Sequence, residues 1–211
     1  MAASVARNGL KVLCGVLIVA ALAMTSTAKA GLIGTGKASF CDTSPERVFA
    51  PWNDSSYYAS LFNGGFEDGN AGWYLSGGAR VVSGNEPFLV GDSSDDHSLL
   101  LPEGSSAISG TVCFATGDWH LRLFARNTGS RTGSLHVQVI VPSLLGSLLT
   151  VLDGGTIRGD GVWAPSPRLE LLLCNVTGLL GTKAVAFRFT PVGRDAAFQI
   201  DDVYLDPWKD R

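Results

Sequence analysis

Leu135-His136-Val137-Gln138-Val139-Ile140-Val141 alternates apolar and polar residues, and a period of two marks a β-strand with one buried face. Leu135, Val137, Val139 and Val141 share one side, with His136 and Gln138 on the other. The pattern recurs on either side of this stretch. Leu121, Leu123 and Ala125 alternate with His120, Arg122 and Arg126, and Val185, Phe187 and Phe189 alternate with Arg188 and Thr190. Each such strand predicts one core face and one face in water, as antiparallel sheets allow. Further out, short strand-like runs are expected at 48–50, 58–62, 79–83, 87–90, 98–101, 111–115, 148–152, 168–174 and 197–205. Turn signals such as Asn63-Gly64-Gly65, Thr128-Gly129-Ser130 and Asp153-Gly154-Gly155 separate them. Many short strands at this spacing predict an all-β, antiparallel β-sandwich. Twenty-six glycines and nine prolines leave little room for long helices. Only 144–152 competes as a short helix, and Gly146 with the β-branched Thr150-Val151 weakens that reading.

The last strand breaks its own alternation. Phe198 and Ile200 have one parity, Val203 and Leu205 the other, and the switch falls across Asp201-Asp202. One extra residue there, a β-bulge, returns both apolar pairs to the core and turns an Asp carboxylate away from open solvent. A carboxylate aimed inward needs a partner, because an unpaired buried charge is costly. A hard cation is one such partner.

At the other end of the chain, Arg7 and Lys11 precede the uncharged apolar run 12–24, which closes on Ala28-Lys29-Ala30. Residues 1–30 are read as a secretory signal cut after Ala30, so the mature protein is expected outside the cell with no membrane span. Cleavage removes three basic residues and no acids from a chain of formal charge −3, leaving −6. An acidic surface argues against nucleic acid, which needs a basic stripe to neutralise phosphate. Residues 31–60 are expected to form an arm and a first short strand, 61–206 the sandwich and 207–211 a tail. Cys14 leaves with the leader, so Cys41, Cys113 and Cys174 remain and allow one bridge. The pair Cys41–Cys113 is favoured, since it staples the arm, while Cys174 behind Leu171-Leu172-Leu173 reads as a buried thiol.

Asn63-Gly64-Gly65-Phe66-Glu67 followed by Gly72-Trp73, together with the ending Gln199-Ile200-Asp201-Asp202-Val203, resembles the two ends of a carbohydrate-binding module of the family 4/9/22 type. The likeness spans about residues 61–206. Pro51-Trp52 and Asp206-Pro207-Trp208 also look like segments of secreted actinobacterial proteins. The resemblance implies a galactose-binding-like jelly roll whose opening and closing strands lie together and share a structural Ca²⁺. Matched onto this sequence, the implied ligands are Glu67 and Asp201 with groups from the acidic turn 92–97, here Asp95 and His97, although that turn departs from the family pattern. The competing reading is that Glu67 and Asp201 only hydrogen-bond loop backbone. Trp73 is expected to pack in the core.

No nucleophile elbow, metal-binding His or Cys spacing, or phosphate loop occurs in the chain. A non-catalytic binding domain is therefore expected, with a polysaccharide or cell-surface glycan as partner. Strand parity nominates Arg122, Phe124, His136, Gln138, Trp163 and Arg188 as its contacts. A cell-envelope sandwich of structural or adhesive type, with no small ligand, is the other reading.

Overall fold

The computed structural model describes residues 44–114, 119–142, 149–171 and 183–206, all within the unit 34–211. The alternating stretches form strands there. In chain order these are β1 Ala59–Ser60, β2 Tyr74–Ser76, β3 Arg80–Ser83, β4 His97–Leu101, β5 Ser106–Ile108, β6 Val112–Phe114 and β7 Trp119–Asn127. They continue as β8 Ser134–Pro142, β9 Leu149–Ile157, β10 Ala164–Pro165, β11 Leu169–Leu171, β12 Lys183–Val192 and β13 Phe198–Leu205. One sheet runs β10-β7-β13-β4-β3, with β1 paired to β13 and β11 to β7. The other runs β2-β5-β12-β8-β9, with β6 paired to β12. Every pairing is antiparallel. The chain crosses repeatedly between the two sheets, as in a jelly roll.

The inner faces meet in one core. Leu121 and Leu123 of β7 and Phe198 and Ile200 of β13 cluster with Val137 and Val139 of β8 and Phe187 and Phe189 of β12. Trp73 joins them, its ring 4.9 Å from Phe66 and 5.8 Å from Phe189, while its Nε1 donates to the carbonyls of Phe62 and Asn63. The indole is thus buried with its one polar atom satisfied.

The bulge in the last strand is present. The register of β13 against β7 shifts between Asp201 and Tyr204, and Asp202 takes a left-handed backbone with φ 48°. Phe198, Ile200, Val203 and Leu205 all reach the core in consequence. The ends of the sandwich also meet: Leu61 N–H donates to Val203 O at 2.8 Å, and Val203 N–H donates to Gly64 O at 3.2 Å. A Cβ on Gly64 would stand 2.8 Å from the Val203 carbonyl oxygen, so this glycine of the opening motif is required by close approach.

Several expectations need correction. Residues 87–90 are not a strand, because the Glu86 carboxylate accepts the backbone N–H of Phe88 and of Val90 and curls the segment into a turn. The run 48–50 leads into a 3-10 turn over Ala50–Trp52, started by Pro51. Asp153-Gly154-Gly155 does not end a strand either: β9 passes through it to Ile157, with a register irregularity and Gly155 at φ 108°. Strands β2, β5 and β10 are too short to show a period and were not expected. The pairing Cys41–Cys113 lies outside what can be placed, since Cys41 is not among the described residues, nor are the leader, Cys174 and the tail. Among the described residues no helix is long and apolar enough to cross a membrane.

Candidate functional site

Alternation along β7 predicts a wet face, but that face is covered. Residues 46–58 form a strap held at both ends by paired hydrogen bonds between Glu46 and Tyr58. Its Phe49 stacks on Phe124 at 5.5 Å and meets Tyr58 and Tyr204 edge-on. Below it the Arg122 guanidinium lies 4.2 Å from the Phe49 ring centroid. Arg122 Nη1 donates to Asp54 Oδ2 at 2.8 Å, Tyr58 Oη donates to the same oxygen at 2.7 Å, and Arg122 Nε and Nη2 donate to Ser166 O. Burial works against the Asp54 charge. The hydrogen bonds from Tyr58, Ser56 and Arg122 outweigh it and bring the carboxyl down to about 2.

Two of the nominated glycan contacts are closed off by this strap. Phe124 is fully buried and Arg122 is spent on Asp54 and Ser166, so neither offers a binding surface. Trp163 is half-buried against that aromatic cluster, with the Arg126 guanidinium 5.1 Å from its ring centroid. His136, Gln138 and Arg188 lie on the outer face of the opposite sheet. Equal parity in sequence therefore pointed to opposite sides of the molecule, because the chain changes sheets between β7 and β8.

The outer face of the second sheet is open over part of its area. In register across it stand Tyr74, Ile108, Arg188, Gln138 and Asp153, one from each of β2, β5, β12, β8 and β9. A neighbouring row holds Ser76 and Ser106, whose hydroxyls are 2.9 Å apart, then Thr190, His136 and Thr156. Tyr74 is 53% exposed. At adjacent outward positions Ile140 and Ala186, side by side, are fully buried, which gives the open stretch a closed end. Four strand-to-strand steps make this row roughly 19 Å long. His136 Nε2 and Asp153 Oδ1 are 3.1 Å apart.

A second locus lies where the sandwich ends meet. A cavity of about 410 Å³ is walled by Tyr58, Phe66, Val90 and Tyr204 and carries Glu46, Glu67, Asp68, Asp95 and Asp202 on its lining. Asp201 and Asp202 are both buried. Asp201 does not line the cavity, since its Oδ2 accepts the Glu86 N–H and its Oδ1 the Asp202 N–H. Burial, then the adjacent Asp202 charge, pushes Asp201 up to about 9. Asp202 does line it, and its Oδ2 has no hydrogen-bond partner. Burial, then the facing carboxylates of Glu86, Asp95 and Glu67, raises it to about 7. Around Gly91, Asp95 Oδ2 and Asp202 Oδ1 converge within 2.6 and 3.3 Å of where a Cβ would sit.

Glu67 faces the same cavity but also serves the acidic turn. Its Oε1 accepts the N–H of Asp96 and of His97, and its Oε2 lies 2.9 Å from His97 Nδ1. Of the expected ligands, Glu67 and Asp95 line the cavity together with Asp202, His97 is turned to Glu67, and Asp201 accepts backbone N–H groups, as the competing reading had it. Asp202 and Glu86 were missed. The bulge predicted an inward carboxylate without saying which of the two, and nothing local in Asn85-Glu86-Pro87 signals burial.

No family model matches the chain, and no curated protein matches it. Solved structures with a similar chain path include the carbohydrate-binding module TmCBM61 in complex with beta-1,4-galactotriose. It is 17% identical over 69% of this chain and 96% of its own, with a TM-score of 0.43. The CBM22-1 xylan-binding domain of Paenibacillus barcinonensis Xyn10C is 14% identical over 67% of this chain and 90% of its own, at 0.47. A family 11 module of a Clostridium thermocellum cellulase is 12% identical over 64% and 85%, at 0.35. The assignment to an antiparallel jelly-roll sandwich rests on the strand pairing itself.

Proposed function

We propose that this chain is an exported, non-catalytic binding domain that holds a glycan along the open outer face of the second sheet. The observation that carries the reading is the register row from Tyr74 to Asp153. It offers an exposed ring for stacking on a pyranose face and, beyond the apolar Ile108, the hydrogen-bonding side chains of Arg188, Gln138 and Asp153 on successive strands, on a sheet with one closed end. Few side chains need ordering when a ligand arrives, which favours binding on so small a surface.

The acidic cavity would hold Ca²⁺ as a structural ion. The fit rests on Asp202, whose buried Oδ2 has no partner, and on the approach of Asp95 Oδ2 and the other Asp202 oxygen, Oδ1, to the same point beside Gly91. An all-oxygen set of carboxylates and backbone carbonyls suits this ion. Asp202 and Asp95 would be its anchors, and the ion would offset repulsion between these carboxylates.

Binding to a polysaccharide and oligosaccharide array tests the main claim. Retention is expected, with loss of at least about tenfold in affinity for Tyr74→Ala. Retention of no glycan, or undiminished retention by Tyr74→Ala, rejects the assignment of this face. Export predicts a secreted product whose first residue is Gly31.

A further inference from the structure

We infer that the glycan held on this face is acidic, and that Arg188 selects it by pairing with a uronate carboxylate. The inference rests on the glycan-binding reading above and adds the chemical class of the ligand.

Arg188 stands at the centre of the register row, between Ile108 on β5 and Gln138 on β8. It is half-buried, yet no ion pair or hydrogen bond joins it to any other described residue. The other arginines near the core of this fold are provided for. Arg122 has Asp54 and Ser166, and Arg126 has the Gln199 side chain at 2.8 Å. A half-buried arginine with no anion among the described residues leaves its fork of donors for an arriving carboxylate.

The surroundings sharpen the charge argument. The nearest acid along the row, Asp153, is held by His136 Nε2 and by the Gly155 N–H at 2.8 Å, and it sits beyond Gln138 at the sheet edge. Its register neighbours on either side, Gln138 and Ile108, are uncharged. Arginine's planar fork matches a carboxylate with two parallel hydrogen bonds, which an ammonium cannot reproduce. Tyr74 lies two strands away, roughly 10 Å. A chain stacked on that ring would therefore bring a neighbouring sugar's carboxylate over Arg188.

The experiment compares oligogalacturonate and glucuronate-bearing xylo-oligosaccharides with their methyl esters, which keep shape and remove charge. Isothermal titration of wild type, Arg188→Gln and Arg188→Lys is the readout. The free acids are expected to bind wild type at least about tenfold more tightly than the esters, with the preference weakened by salt. Arg188→Gln should erase the preference, so that acid and ester bind it alike, and Arg188→Lys should restore only part of it. Equal binding of acid and ester by wild type, or an unchanged preference in Arg188→Gln, overturns the inference while leaving a neutral-glycan reading intact. Binding of no glycan of any kind, by folded wild type, rejects both. Thermal unfolding of each variant confirms that it is folded, and Arg188→Lys keeps the test meaningful if Arg188→Gln is not.

Discussion

Asp202 sits in a left-handed backbone conformation, is 3% exposed and leaves Oδ2 without a partner. Asparagine tolerates that conformation as well as aspartate does. Asp202→Asn is therefore expected to raise the stability of the ion-free protein by on the order of 1–3 kcal/mol, by removing a buried charge that faces Glu86, Asp95 and Glu67. The same change should abolish stabilisation by added Ca²⁺, and denaturant unfolding with and without the ion measures both. Asp54 behaves in the opposite sense. Its carboxyl is lowered to about 2 in the folded protein, below the ordinary value of 3.8, so its contribution is present above that ordinary value and is lost as pH falls towards 2. The loss should amount to on the order of 2 kcal/mol. It should appear as a steeper fall in urea midpoint between pH 4 and 2 in the wild type than in Asp54→Asn.

The strap 46–58 and strand β7 form one unit at the next scale. Phe49 is fully buried and contacts Phe124, Tyr58, Tyr204 and the Arg122 guanidinium. Phe49→Ala should cost about 3–5 kcal/mol if strap and sandwich unfold together. If the strap opens first, limited proteolysis will cut within 46–58 while the sandwich persists, and the global loss will be smaller. The strap also explains why alternation misled along β7. Period-two patterning reports which side of a strand meets the main core. It carries no information on whether a distant segment later covers the other side, and here His120, Arg122 and Phe124 are all buried on that side. Along β13 the same covering is complete, with every residue from Phe198 to Leu205 buried.

For the whole molecule, an ion bound only by the folded state must raise the melting temperature. At one hundred times its dissociation constant, Ca²⁺ should add about 2.7 kcal/mol. A domain of this size should then melt about 5–10 °C higher than after EDTA treatment; an unchanged melting temperature would remove the ion from the account. The all-β class, the core faces of β7, β8 and β12 and the bulge at Asp201-Asp202 were legible in the chain, because alternation and its single break are local properties of consecutive residues. The resemblance carried by the opening and closing motifs implied that the two ends of the sandwich would lie together. Tertiary structure alone decided which polar residues share a surface. Arg122 and Arg188 have the same parity within similar strands, yet one is sealed beneath a strap in the first sheet and the other lies open on the second. That difference depends on how the chain crosses between sheets, and on contacts between residues far apart in sequence, which no local period records.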